Sequence, residues 1–129
     1  MASTRLRIAG RVDYLAVTTG NRIVIVEAKL AQLTRRKLAR SQHLRAQLAA
    51  YTIAAEETLK LPLEAAYIYT TENGALIPVT VTPRDRMLVE HAAKTLHQAL
   101  ERGEPPHTPP PPAWKCRVCS YRSICPFKR

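Results

Sequence analysis

The chain is poor in acidic residues, glycine and aromatic side chains. Its 129 residues include 10 Asp and Glu against 20 Lys and Arg, which leaves a formal net charge of +10, and only four are Gly. No apolar run approaches the ~20 residues that a membrane span needs, so we expect a soluble single domain. The basic residues are mostly Arg and are spread along the chain, which favours nucleic acid as a partner over a membrane surface. The alternative is a basic surface with no partner.

Cysteine is absent until the last part of the chain, where three residues form a C-x2-C-x5-C pattern: Cys116, Cys119 and Cys125. An odd number of thiols cannot all form disulfides, and residues 1–8 lack the apolar core of a secretory signal, so we expect a reducing, cytoplasmic compartment. Three thiolates at this spacing predict a metal site, although zinc and iron–sulfur clusters usually take four ligands. Candidate sources of the fourth ligand are His107, a second subunit or a small thiol. Cysteines held only by packing are the alternative.

The first half of the chain predicts a β-hairpin and a long helix. Segments 7–17 and 22–30 are rich in Val, Ile and Tyr, and the turn residues 19–21 lie between them. The second strand has an apolar run without a polar face, which indicates a central strand covered on both sides. Segment 34–59 contains no Gly or Pro and predicts one continuous helix with a buried face and a strongly basic beginning.

The second half predicts another hairpin, a helix and a tail. Segments 64–71 and 76–81 form the second hairpin, and Pro78 makes its second strand an edge strand. A helix should begin at Pro83 after the N-cap Thr82 and end before Gly103, with Met87, His91 and Leu96 on the side that faces the core. The proline-rich segment 105–112 predicts an extended connector. We therefore expect a core of residues 1–103 and a connector with a cysteine tail, 104–129, packed on it.

Three charged residues on the first hairpin are candidates for catalysis. Glu27 and Lys29 are two positions apart in one strand, so their side chains share a face of the sheet. A three-residue turn at 19–21 sets Asp13 opposite Glu27, with Cβ atoms about 4.5–5.5 Å apart. Like charges at this distance are destabilising unless they are neutralised, and Mg2+ or Mn2+ would do so while leaving positions for water and phosphate.

Lys29 then lies close enough to act on a metal-bound water and to offset charge on a phosphate, which predicts phosphodiester hydrolysis. The alternative is structural: Asp13 caps a bend, and Glu27 and Lys29 form a salt bridge at the end of a strand. The neighbouring sequence, Gly10-Arg11-Val12-Asp13 and the apolar strand before Glu27, favours the catalytic interpretation.

These residues together resemble a known family. The motif G-x-x-D, an apolar strand ending in E-A-K, and Q-L-A-A-Y on the next helix resemble the PD-(D/E)XK nuclease superfamily in its RecB-like branch. With the tail C-R-V-C-S-Y-R-S-I-C, the chain resembles the CRISPR-associated RecB-like exonucleases from Gly10 to Cys125. The resemblance implies an α/β fold of restriction-endonuclease type, with a mixed sheet flanked by helices and a cysteine-rich metal-binding tail.

The resemblance also implies roles for particular residues. Asp13, Glu27 and the backbone carbonyl of Ala28 would bind the divalent metal, and Lys29 would be the catalytic lysine. Gln47 and Tyr51, which match Q-x-x-x-Y, lie on one helix face, where they reach the metal site or a DNA backbone. The alternatives are a core aromatic for Tyr51 and a solvated polar residue for Gln47.

For the tail, the resemblance implies that Cys116, Cys119 and Cys125 are three ligands of a [4Fe-4S] cluster, with zinc as the alternative. Trp114, Tyr121 and Phe127 are expected to pack around this site; the competing interpretation is stacking on bases of single-stranded DNA. Members of the family carry a longer N-terminal region with a further cysteine, so the resemblance implies a chain shortened at its N-terminus.

Two functional classes follow. The preferred one is a metal-dependent deoxyribonuclease that trims single-stranded DNA ends during CRISPR spacer acquisition. The alternative is a non-catalytic DNA-binding or adaptor module that associates with CRISPR integration proteins.

Overall fold

A computed structural model describes residues 1–30, 34–106 and 111–129, which contain six strands and four helices. The strands are β1 (Ala2–Ser3), β2 (Ile8–Ala9), β3 (Tyr14–Val17), β4 (Ile23–Lys29), β5 (Leu63–Thr70) and β6 (Ala75–Val79). The helices are α1 (Arg35–Arg40), α2 (Gln42–Leu59), α3 (Pro83–Arg102) and α4 (Ala113–Arg117). The described residues fall into two compact units, Met1–His97 and Gln98–Arg129, so the boundary lies within α3. No helix of the described residues combines the length and apolarity required to cross a bilayer.

A four-stranded mixed sheet in the order β3-β4-β5-β6 is the centre of the first unit. Strands β4 and β5 are parallel, and the other two pairs are antiparallel. Parallel neighbours need a crossover connection, which α2 supplies on one face of the sheet. The predicted α/β class with a mixed sheet and helices is confirmed. Alternate residues of β4 are fully buried and those between them are half-buried, so one face of this central strand is more deeply covered than the other.

The predicted strand over residues 7–17 is wrong, because the structure divides it. Ile8 and Ala9 pair with β1 in a separate two-stranded sheet, and the backbone N–H of Gly10 donates to the Met1 carbonyl at 2.9 Å. The local N-terminal residues therefore satisfy the hydrogen-bonding groups of this stretch, which leaves only β3 to pair with β4. The expected register of that pair is confirmed: Tyr14 lies opposite Val26, and the N–H of Thr18 donates to the Arg22 carbonyl at 2.8 Å.

The predicted continuous helix over 34–59 is also wrong, because Ser41 separates α1 from α2. Ser41 has an extended conformation (φ −83°, ψ 91°), and its hydroxyl lies 3.2 Å from Nδ1 of His43. Leu38 and Leu44 are both buried in the main core. Residues six apart on one straight helix point about 120° away from each other, at 3.6 residues per turn. The break thus allows both leucines to face the same core, and serine tolerates it because its hydroxyl bonds locally.

The second hairpin and the start of α3 agree with the sequence. β5 and β6 are antiparallel, and Pro78 lies in the edge strand β6. The N–H of Asp85 donates to the Thr82 hydroxyl at 3.1 Å, and the N–H of Thr82 donates to the Asp85 carboxylate at 2.9 Å, which caps α3. The predicted inner face of α3 is wrong: Val89 and Ala93 are buried, whereas His91 is exposed.

Candidate active site

Two carboxylates lie side by side where β3 and β4 pair. Asp13 immediately precedes β3, and the register of the two strands sets it next to Glu27 on β4. The Asp13 carboxylate accepts the backbone N–H of Ala28 at 2.9 Å, which orients it across the strand pair. The Glu27 side chain is on the buried face of β4 and is only 6% exposed. Its Oε2 atom is buried and has no hydrogen-bond donor among the residues that the structure describes.

The surroundings of Glu27 raise its pKa above the ordinary value of 4.5. Burial is the largest cause of the raised pKa of Glu27, and the charge of Asp13 raises it further. Lys29 acts in the opposite direction, because its Nζ lies 3.5 Å from Glu27 Oε1. The ammonium group only partly offsets the other two effects, so the pair of acids still lacks positive charge.

A chain of hydrogen bonds joins the acids to α2. The Lys29 ammonium donates to Gln47 Oε1 at 3.0 Å, and Gln47 Nε2 donates to Glu27 Oε1 at 3.3 Å and to the Tyr51 hydroxyl at 3.0 Å. Gln47 and Tyr51 are one helical turn apart, which places both above the same face of β4. The structure therefore brings together all five side chains that the sequence singled out: Asp13, Glu27, Lys29, Gln47 and Tyr51.

Gly10 leaves space for the Tyr51 ring because it has no side chain. A Cβ atom at this position would lie 2.8 Å from Cε1 of Tyr51, closer than side-chain atoms approach one another. The tyrosine ring thus occupies the space above Gly10. In the sequence, Gly10 was considered only as part of the G-x-x-D motif. A glycine before the acid can indicate a close approach of another element, but the element that approaches is a helix about forty residues away, which the spacing alone does not reveal.

The site has the properties of a divalent cation site. Carboxylate oxygens are the preferred ligands of Mg2+ and Mn2+, and a buried carboxylate oxygen without a donor is an unusual feature that a bound cation would satisfy. Asp13 and Glu27 supply oxygens from two strands, and Lys29 lies beside them. These residues therefore fit a divalent ion.

The basic residues of α1 and α2 include one that forms an ion pair and several that are exposed to solvent. Arg45 on α2 donates to both carboxylate oxygens of Asp85, at 2.7 and 3.2 Å, and to the Thr80 carbonyl at 3.0 Å, so it fastens α2 to the start of α3. On α1, Arg36, Lys37 and Arg40 are exposed.

The cysteine tail does not present a formed metal site. Cys116 is buried, Cys125 is half-buried and Cys119 is exposed. In the described ranges, no three His, Cys, Asp or Glu side chains converge on a point where they could bind one ion. His107, the candidate fourth ligand, lies outside the described residues.

A mixed sheet that carries two acids and a lysine on adjoining strands, crossed by a helix with Gln and Tyr, defines the class of PD-(D/E)XK nucleases. The sequence pattern of the PD-(D/E)XK nuclease superfamily matches residues 2–126, so the chain belongs to this superfamily. It is also 33% identical over 126 residues to the CRISPR-associated exonuclease Cas4 of Aeropyrum pernix. That alignment covers 97% of this chain and 62% of the relative, so the chain spans less than two thirds of the relative's length.

Proposed function

We propose that the protein is a divalent-metal-dependent deoxyribonuclease that hydrolyses phosphodiester bonds at the ends of single-stranded DNA. The buried Oε2 of Glu27 carries this proposal: it lies beside Asp13, has no donor among the described residues, and so identifies where positive charge is required. Membership of the nuclease superfamily supports the reaction class, and the net charge of +10 supports DNA as the substrate.

Asp13, Glu27 and the backbone carbonyl of Ala28 would hold the ion. When bound, a divalent ion polarises the phosphate and lowers the pKa of water. Lys29 is held beside this position by its bonds to Gln47 and Glu27, so its ammonium group can hold the attacking water and offset charge on the attacked phosphate.

Gln47 and Tyr51 would position the other groups. Both N–H donors of the Gln47 amide and its oxygen are engaged, which fixes the orientation of the amide and holds the Lys29 ammonium at 3.0 Å. The Tyr51 hydroxyl accepts one of these bonds, which leaves its own O–H available to donate to a phosphate oxygen.

The test is cleavage of end-labelled single-stranded DNA with Mg2+ or Mn2+, with chelator, and by two variants. Asp13→Ala should lower cleavage by at least about 100-fold, the scale expected when metal-based charge stabilisation is lost. Glu64→Ala is a matched control, because Glu64 is an exposed carboxylate on β5 away from the site, and it should cleave normally. Binding of DNA without cleavage by the unmodified protein would instead favour the non-catalytic DNA-binding or adaptor module.

The biological setting belongs to the same proposal. Trimming of DNA during CRISPR spacer acquisition, together with CRISPR integration proteins, is suggested by similarity to a relative named a CRISPR-associated exonuclease. Co-purification with the integration proteins of the same source would support it, and a nuclease that degrades DNA completely in their presence would contradict it.

The cluster at Cys116, Cys119 and Cys125 stays a prediction, because no group of three ligands is found among the residues that the structure describes. Brown protein containing iron and sulfide after anaerobic purification would support [4Fe-4S], and colourless protein with bound zinc would support zinc. Metal-free protein would contradict both.

A further inference from the structure

The sequence of the C-terminal tail contains basic residues and no acidic residue. From Pro105 to Arg129 the sequence contains five Lys and Arg and no Asp or Glu: Lys115, Arg117, Arg122, Lys128 and Arg129. Such a segment attracts a polyanion through its phosphates, whatever the base sequence.

Two of the three aromatic residues of this tail are exposed, contrary to the expectation that all three pack around a metal site, whereas Phe127 is half-buried. Trp114 is 56% exposed and Tyr121 is 71% exposed. The Lys115 ammonium lies 5.6 Å from the centre of the Trp114 ring, so a cation accompanies the exposed ring. Exposed rings flanked by cations are typical of proteins that bind single-stranded nucleic acid, in which bases stack on the rings and cations follow the backbone.

A recess in the same unit is surrounded by cations. It has a volume of about 690 Å³ and is lined by Cys119, Ser120, Arg122, Ser123, Lys128 and Arg129. Arg122 donates to the Arg129 carbonyl at 3.4 Å, and Lys128 donates to the Ser123 carbonyl at 3.5 Å. These carbonyls hold the two side chains at the recess without neutralising them, and both groups have further N–H donors for a phosphate.

We propose that residues 113–129 form a single-stranded DNA-binding surface, in which bases stack on Trp114 and Tyr121 and phosphates contact Arg122 and Lys128. The surface is additional to the candidate active site. Only the choice of DNA over RNA rests on the proposed function. Exposed Val118 and Ile124 would also suit an apolar protein partner, and this alternative is an outcome of the test.

Trp114 is the only tryptophan of the chain, so its fluorescence reports on this surface directly. The full chain carrying Asp13→Ala is titrated with a thymidine oligonucleotide and with an abasic oligonucleotide of the same length and charge. Stacking predicts strong quenching by the thymidine strand and much weaker quenching and binding by the abasic strand. Equal binding of both strands, or unchanged emission at saturation, would overturn the proposal. Quenching without cleavage by the unmodified protein would reject the proposed nuclease but leave this surface intact.

Variants provide a second measurement. Trp114→Leu and Tyr121→Leu should each weaken binding of a labelled thymidine strand by roughly 5-fold to 100-fold, the effect of losing one stacked base. Val118→Ala and Ile124→Ala are the matched controls, because they remove exposed apolar area from the same tail without removing a ring; both should bind normally. Circular dichroism should show that all four variants fold. Equal weakening by controls and aromatic variants would show that the tail acts through its apolar area and not through stacked rings, which would overturn the proposal and favour an apolar protein partner.

Discussion

Replacing Glu27 with Gln should make the protein more stable without metal and less stable with it. In the metal-free protein, the carboxylate is 6% exposed, its Oε2 has no donor among the described residues, and Asp13 repels it. Its attraction to Lys29 at 3.5 Å opposes that repulsion, but the pKa of Glu27 is still raised, so burial and repulsion together outweigh the attraction. Gln keeps the shape and removes the charge, and we expect a gain of about 1 kcal/mol, the low end of the penalty for a buried unsatisfied polar group.

The sign should reverse in saturating Mg2+ or Mn2+. A ligand at about 100 times its Kd stabilises the folded state by about 2.7 kcal/mol, and one kcal/mol corresponds to about 4 °C in Tm for a chain of this size. The unmodified protein should therefore gain about 10 °C with metal, whereas Glu27→Gln, which lacks a ligand, should gain little. The variant would melt about 4 °C above the unmodified protein in chelator and about 6 °C below it in metal.

The assay is thermal unfolding followed by circular dichroism in chelator and in metal, for the unmodified protein, Glu27→Gln and Glu64→Gln. Glu64 is an exposed strand glutamate, so its variant should stay within about 2 °C of the unmodified protein under both conditions. A lower Tm of Glu27→Gln in chelator would mean that the carboxylate makes favourable contacts without metal. An equal metal-induced shift in Glu27→Gln and the unmodified protein would mean that the ion binds elsewhere. Either result would refute the reasoning.

Two further predictions concern the residues around the site. Gly10→Ala should lower kcat/KM for DNA cleavage about tenfold, because the new Cβ would lie 2.8 Å from Tyr51 Cε1 and displace the ring. The double variant Gly10→Ala, Tyr51→Leu should cleave DNA no worse than Tyr51→Leu alone, and additive losses would contradict the contact. Asp85→Asn should cost about 1–3 kcal/mol at pH 7 by urea unfolding, since it removes the charged partner of Arg45. Burial raises the pKa of Asp85, but the hydrogen bonds from Arg45 and Thr82 outweigh this effect, so the pKa in the folded protein is lowered. The loss of stability in Asp85→Asn should therefore be full above pH 3.8, the ordinary pKa, and should vanish as the pH falls through the lower pKa of the folded protein. A difference that does not shrink at all as the pH falls below 3.8 would contradict this origin.

Local chemistry made part of the fold and site predictable from the sequence. The three-residue turn fixed the register that sets Asp13 beside Glu27, and the period of two in a strand put Lys29 on the face of Glu27. Thr82 and Pro83 marked the start of α3 through capping, which depends on neighbours in sequence.

The features that the sequence did not reveal depend on distant partners. Ile8 pairs with β1 instead of extending β3, and Ser41 interrupts a segment of good helix formers so that Leu38 can reach the core. The exposure of Trp114 was likewise hidden, because a short basic segment has the same composition whether its rings pack or remain in water. Tertiary contacts decided each case, and they override propensity.

The arrangement of α2 explains why the lysine and the acids can coexist next to a buried core. Gln47 is a neutral group that contacts both Lys29 and Glu27, and it uses its oxygen for the cation and its N–H groups for the anion and for Tyr51. A carboxylate at this position would add a third negative charge, and an apolar residue would leave the Lys29 ammonium with Glu27 as its nearest partner. An amide can bind both charges through one side chain, and Gly10 leaves space for the ring of Tyr51, whose hydroxyl accepts the remaining N–H. The same helix that covers the core thus keeps Glu27 from being fully neutralised by Lys29, which preserves its affinity for a divalent cation.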